Sequence, residues 1–121
     1  MPTGKTISRN RHFDSAKAPA TISATASGSG FAISAFLDLE LEDVKGFGAE
    51  KLLSDDGITK TLNAKGTHVL EFVVAFTSKS EATCSIQCKF SGSDGSTQSR
   101  SVSVNGKAED IARVSFHAPV S

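Results

Sequence analysis

The chain contains no tryptophan, no tyrosine, one methionine, two cysteines and three prolines. Each shortage removes a class of function. Sugar platforms and antibody-like paratopes draw on Tyr and Trp, whose rings join an apolar face to a polar handle, so an aromatic stacking site is not expected. Single-stranded nucleic acid is held by aromatics interleaved with a basic groove, and the eight phenylalanines are not set among basic residues in that way. Net charge is also missing: 13 basic side chains balance 13 acidic ones, whereas a nucleic-acid or membrane-surface binder carries a basic excess. No segment approaches the ~18 apolar residues of a transmembrane helix. The basic N-terminus is not followed by the apolar run of a secretory signal. The expectation is a cytoplasmic protein, or one released without a recognisable signal peptide.

Catalytic chemistry is equally short of parts. No glycine-rich loop opens a helix that could cradle phosphate, and no serine sits in a nucleophile elbow with a base at hand. His12, His68 and His117 lack a second histidine at metal-ligand spacing, and His117, on the outer face of the last strand, is the one best placed to meet another polar group. Cys84 and Cys88 fall four apart on one strand. At ~3.3 Å per residue their Cα atoms lie roughly 13 Å apart, beyond disulfide reach, and they read as small buried apolar residues. The chain is therefore expected to be no enzyme, with no cofactor and no dedicated metal site.

What is abundant is alternation. Residues 82–90 place Ala82, Cys84, Ile86, Cys88 and Phe90 on one face and polar residues on the other, the period-2 pattern of a half-buried strand. Similar runs cover 20–26, 31–42, 57–62, 67–77, 99–104 and 110–118, separated by Gly/Ser/Asn/Asp turns. Residues 67–77 are apolar on both faces, as a central strand covered on both sides would be, with half of one face open to a neighbouring subunit. Asn105-Gly106 is the strongest short hairpin signal, and the second half reads as a β-meander. At 121 residues the chain forms one domain. The fold class is all-β: a two-layer antiparallel β-sandwich of seven or eight strands, immunoglobulin-like or jelly-roll. Residues 1–18 read as a flexible basic arm or loosely attached edge segment, and 19–121 as the sandwich.

Charge is segregated along this frame. Residues 1–17 carry Lys5, Arg9, Arg11 and Lys17 against Asp14, a net of +3, and residues 38–56 carry seven acidic against two basic residues, a net of −5. Asp38, Glu40 and Glu42 read as an acidic ladder on one face of the 31–42 strand. A straight strand wraps a calcium ion poorly, so attraction between the arm of one subunit and the acidic face of another is the sharper use of these charges. Phe36 and Phe47 do not fit the inner faces and are the candidate apolar contacts. Asp55, Asp56 and Asp94 lie in turns that could form ligand loops at one end of a sandwich.

Residues 101–110, Ser-Val-Ser-Val-Asn-Gly-Lys-Ala-Glu-Asp, resemble a strand–turn segment of small bacterial calcium-dependent fucose/mannose-binding lectins. Those lectins carry a dense Asp/Asn calcium loop near the C-terminus. This chain ends Phe116-His-Ala-Pro-Val-Ser without it, and no site is carried over.

The functional expectation is a non-catalytic assembly or protein-interaction module that self-associates through Arg9, Arg11 and Lys17 against Asp38, Glu40 and Glu42. The alternative is a lectin-like carbohydrate-binding module, calcium-assisted, using the loops at 43–57 and 91–98. Neither nucleic acid nor membrane is expected as a partner.

Overall fold

The computed structural model describes residues 4–42 and 57–121; Phe47, Asp55 and Asp56, with the turns expected around them, lie outside the described residues. Nine strands are described: β1 (Thr6–His12), β2 (Ala20–Gly28), β3 (Phe31–Leu37), β4 (Glu40–Glu42), β5 (Ile58–Leu62), β6 (Gly66–Phe76), β7 (Ala82–Ser91), β8 (Thr97–Gly106) and β9 (Ile111–Val120). They form a five-stranded sheet, β1-β9-β6-β3-β4, and a four-stranded sheet, β5-β2-β7-β8. The two pack face to face as a β-sandwich. No helix among the described residues is long and apolar enough to cross a membrane.

The alternating pattern does what a period of two requires. In β7, Cys84, Ile86, Cys88 and Phe90 are fully buried, and in β9 so are Ala112, Val114, Phe116 and Ala118. β6 is the middle strand of its sheet, with Leu70, Phe72, Val74 and Phe76 in the core and Val69, Val73 and Ala75 half-buried on the outer face. Phe31, Phe72, Phe76, Phe90 and Phe116 are all in the core. Phe72 and Phe116 meet edge to face with centroids 6.1 Å apart, and Phe31 and Phe76 do so at 5.9 Å. Each such ring contributes about 1.5–3 kcal/mol by its burial. The cysteines are free and buried, and burial pushes both thiols up to about 12.

Several expectations change. Nine strands stand among the described residues because two segments escaped the pattern. Thr6–His12, read as a flexible arm or a loosely attached edge segment, is an edge strand that runs parallel to β9 from Thr6↔Ile111 to His12↔His117. Most of its side chains are exposed on both faces, so it carries no apolar alternation to see. The next residue, Phe13, anchors it: the ring is 4% exposed and packs 5.3 Å from Phe90 and 6.3 Å from Phe116.

The single long strand 31–42 is two strands joined by a reversal at Asp38–Leu39, which uses neither glycine nor asparagine. The second half is not a meander either. β6 pairs with β3 and β9, β7 with β2 and β8, so the chain changes sheet between β6 and β7 and again between β8 and β9. Asn105-Gly106 accordingly ends β8 instead of closing a two-residue hairpin. Its glycine is needed for close approach, since a Cβ there would lie 2.5 Å from the Phe76 ring.

Candidate functional site: two charged edges and a clamped turn

The five-stranded sheet ends in β1 on one side and, among the described residues, in β4 on the other. The first is basic and the second acidic. Arg9 and Arg11 are two apart on β1; Glu40 and Glu42 are two apart on β4.

On β1 the backbone phase is fixed by two hydrogen bonds. Ile111 donates its N–H to the Lys5 carbonyl at 3.0 Å, and the Phe13 N–H donates to the His117 carbonyl at 2.9 Å. Odd-numbered residues therefore direct their backbone groups at β9, and Ser8 and Asn10 direct theirs outward. The guanidinium of Arg9 donates to the Ser8 carbonyl at 2.9 Å, and that of Arg11 to the Asn10 carbonyl at 3.0 Å. Both arginines thus cover outward carbonyls of their own edge. The start of the strand is pinned by Asp110, which accepts the Lys5 N–H at 2.9 Å and the Lys107 N–H at 3.0 Å. Those two backbone donors hold its carboxyl below the usual carboxylate value. At the far end, the His12 and His117 rings stack with centroids 4.4 Å apart; burial and the positive charge of His12 lower the His117 pKa.

On the other edge, β4 is placed by the β3–β4 turn. Asp38 has φ 50° and Leu39 φ 72°, two successive left-handed residues as in a type I′ hairpin. That turn normally recruits Asn-Gly or Asp-Gly; a leucine there carries a steric cost of roughly 1–2 kcal/mol. Asp38 holds it by three contacts. Its N–H donates to the Val69 carbonyl at 2.9 Å, its Oδ1 accepts the Val69 N–H at 2.9 Å, and its Oδ2 lies 2.6 Å from His68 Nδ1. The other ring nitrogen of His68 lies 2.8 Å from the Ala64 carbonyl oxygen. Both partners are acceptors only, so the ring satisfies both when doubly protonated. Burial works against that charge. The Ala64 carbonyl and the Asp38 carboxylate outweigh it, and the His68 pKa is raised.

Leu39, at the tip, is 90% exposed. Shallow recesses flank it, one lined with Asp38, Val69 and Glu71 and the other with Ser34, Phe36, Val73 and Arg113. Glu71 and Arg113 approach to 3.7 Å between these apolar residues.

The residues singled out from sequence thus divide. Arg9 and Arg11 sit on one edge and Glu40 and Glu42 on the other, with Asp38 in the turn beside them, so they do not form one ladder. Phe36 is half-buried on the outer face. Lys17 belongs elsewhere: its carbonyl accepts the Ser93 N–H at 3.0 Å, and its charge acts on Asp94. Asp94 itself is engaged within the β7–β8 turn, where the Ser96 N–H lowers its pKa. Among the described residues no group of three or more His, Cys, Asp or Glu side chains could hold a metal ion. Sequence reasoning missed His68 as a partner of Asp38, since nothing in a thirty-residue separation signals contact. Compared with protein-family models, curated proteins and solved structures, the chain returns no match.

Proposed function

We propose that this protein is a non-catalytic assembly module whose copies associate head to tail through the two edges of the five-stranded sheet. One observation carries the reading: among the described residues, the five-stranded sheet ends on one side in a strand with basic residues and on the other in a strand with acidic residues. Unpaired edges invite strand addition, and charges on them suppress it. When every edge has the same sign, suppression is complete. Here β1 repels a second β1 and β4 repels a second β4, while β1 and β4 attract. Like-charge repulsion excludes the wrong partners and opposite charge admits the right one.

Because β4 has only three residues, the joint is short and its ion pairs are exposed. Exposed pairs contribute about 0–1 kcal/mol each, so association is weak and transient, with a Kd on the order of 1 mM. Light scattering across a range of protein concentration tests it. Mean mass rises with concentration, and the rise diminishes as salt approaches 1 M, where the Debye length falls to about 3 Å. A mass that stays at one chain throughout refutes the reading.

A further inference from the structure

We infer that the β1 edge is a docking strand for an extended acidic peptide of another protein, taken up antiparallel with a carboxylate at every second residue. This goes beyond the assembly reading and does not need it, because the acids are supplied in trans.

The edge is covered in a regular way. Ser8, Asn10 and His12 direct their N–H and C=O groups away from β9, as the bonds of Lys5 and Phe13 to that strand fix. All three residues are exposed. Each of their carbonyls accepts from a guanidinium: Ser8 from Arg9 at 2.9 Å, Asn10 from Arg11 at 3.0 Å, and His12 from Arg100 Nε at 3.3 Å. Arg100 comes from β8, the end strand of the facing sheet, and its guanidinium lies 5.3 Å from the centroid of the Phe13 ring. Among the described residues no strand pairs with β1 on its outer side. Residues 43–56 join β4 to β5, which end their sheets on the side away from β1 and β8.

Arginines on an edge protect it from chance pairing. Two observations make these three recognition groups as well. The first is the lack of counter-charge. Neither β1 nor β8 contains an acidic residue, and the described ion pairs, His68–Asp38 and Arg113–Glu71, involve none of the three arginines.

The second is spacing. Arg9 and Arg11 stand opposite the core residues Val114 and Phe116, so both are on the core side of β1. Phe13 takes the next such position, and Arg100 covers it. A cation therefore recurs at every second position of the edge, about 6.6 Å apart. That is the repeat of side chains on one face of an extended peptide.

Docking then follows the rules of strand addition, in which backbone bonds hold the peptide and alternate side chains select it. Antiparallel pairing is the more stable of the two directions. Peptide residues opposite Ser8, Asn10 and His12 donate their N–H groups to the three carbonyls, and each guanidinium is released to a carboxylate. The carboxylates stand opposite Arg9, Arg11 and Phe13, at non-hydrogen-bonded positions where facing side chains come closest. Ile7, partly buried against the core, faces the following alternate residue and favours an apolar one. From the peptide N-terminus the pattern is acid, any, acid, any, acid, any, apolar.

The probe is acetyl-Glu-Thr-Glu-Thr-Glu-Thr-Val-amide, followed by NMR at low salt. Acetyl-Glu-Glu-Glu-Thr-Thr-Thr-Val-amide, equal in composition and charge, is the control. The alternating peptide binds about tenfold tighter, shifts the amide signals of Ser8, Asn10 and His12, and protects them from exchange. Equal affinity for the two peptides overturns strand docking, and so does a response centred elsewhere. No binding of either at millimolar concentration overturns the inference and leaves the arginines as edge protection.

Two variants, each matching the parent by circular dichroism, separate charge from backbone. Arg9→Gln/Arg11→Gln keeps side-chain donors for the carbonyls without the charge and weakens the alternating peptide about tenfold. Asn10→Pro removes one outward N–H and leaves the bonds to β9 whole; the alternating peptide loses its advantage, and the control binds as before. Parent-like binding by either variant overturns the inference. Titrations are run well below the ~1 mM of the proposed self-association. Peptide binding without growth of mass upholds this inference and removes the head-to-tail joint. Growth of mass without peptide binding does the reverse.

Discussion

Replacing Asp38 with asparagine probes the clamp that positions β4. Asparagine keeps an oxygen to accept the Val69 N–H but cannot balance a charged His68 ring. A hydrogen bond to a charged group contributes about 1.5–3 kcal/mol. The Asp38 side chain is 46% exposed and that of His68 15%, so solvent screening brings the lost term to about 1 kcal/mol. For a chain of this length, that lowers Tm by about 4 °C.

The cost also carries a pH signature. His68 has a folded pKa raised above its ordinary 6.5. Its contribution is complete below 6.5 and disappears as pH rises through the folded value. Denaturant titrations of parent and Asp38→Asn at steps from about pH 5.5 to 9 therefore give a stability difference largest at the acid end and shrinking toward the alkaline end. His117, whose pKa is lowered, shifts both proteins alike and drops out of the difference. A difference that is constant with pH, or an NMR titration placing His68 below 6.5, would refute the doubly protonated ring.

Three further outcomes are expected. Leu39→Gly removes a left-handed β-carbon at a 90% exposed position; relief of about 1–2 kcal/mol against glycine's own 0.5–1 kcal/mol raises stability by about 0.5–1 kcal/mol in chemical denaturation, and a loss instead would show that the leucine packs. Asp110→Asn weakens the hold on Lys5 and Lys107. Because the Asp110 pKa is lowered from 3.8, the deficit in amide exchange protection at the start of β1 is present above that pH and fades as pH falls through the folded value; a deficit that persists in acid would assign it to packing. Phe13→Ala costs about 3–5 kcal/mol, as a truncated core ring does, and a cost under about 1 kcal/mol would mean that the segment after β1 does not enter the core.

How much of this was legible in the sequence follows from burial. β2, β5, β6, β7, β8 and β9 each turn one face to the core, and their alternation located them within two residues or so. β1 has no run of buried side chains, only a partly buried Ile7 against the core, so composition read it as an arm or a loosely attached edge segment; Phe13, immediately after it, is the large ring that anchors it. The reversal at Asp38–Leu39 was hidden because the turn lacks the glycine that usually marks it and is instead held by residues thirty positions away. Of the strand pairings read from the second half, only the β7–β8 hairpin holds. The hydrophobic pattern says which face of a strand is buried and says nothing of which sheet it joins, so the β6–β7 and β8–β9 sheet changes were read as hairpins. The segregation of basic and acidic residues was visible from composition. That they occupy opposite ends of one sheet among the described residues follows only from the strand order.

The remaining surfaces bear on the proposed association through the edges. The outer face of the four-stranded sheet is a field of hydroxyls that bond one another across strands: Thr83 donates to Asn105 at 2.6 Å, Ser85 and Ser103 lie 2.9 Å apart, and Ser91 and Thr97 3.2 Å. Groups already paired and still open to water gain little by exchanging one partner for another. The outer face of the five-stranded sheet is more apolar, but Glu71 crosses it toward Arg113 and accepts from the Ser115 hydroxyl at 3.3 Å, dividing Val69 from Val73. Covering that face would desolvate an ion pair, whose cost offsets the apolar gain. An edge carries no such penalty: its backbone groups trade water for a ladder, and its charges meet opposite charges while still at the rim. The proposed joint would be weak by its length and directional by its charge, the combination that reversible addition of copies without pairing of like edges requires.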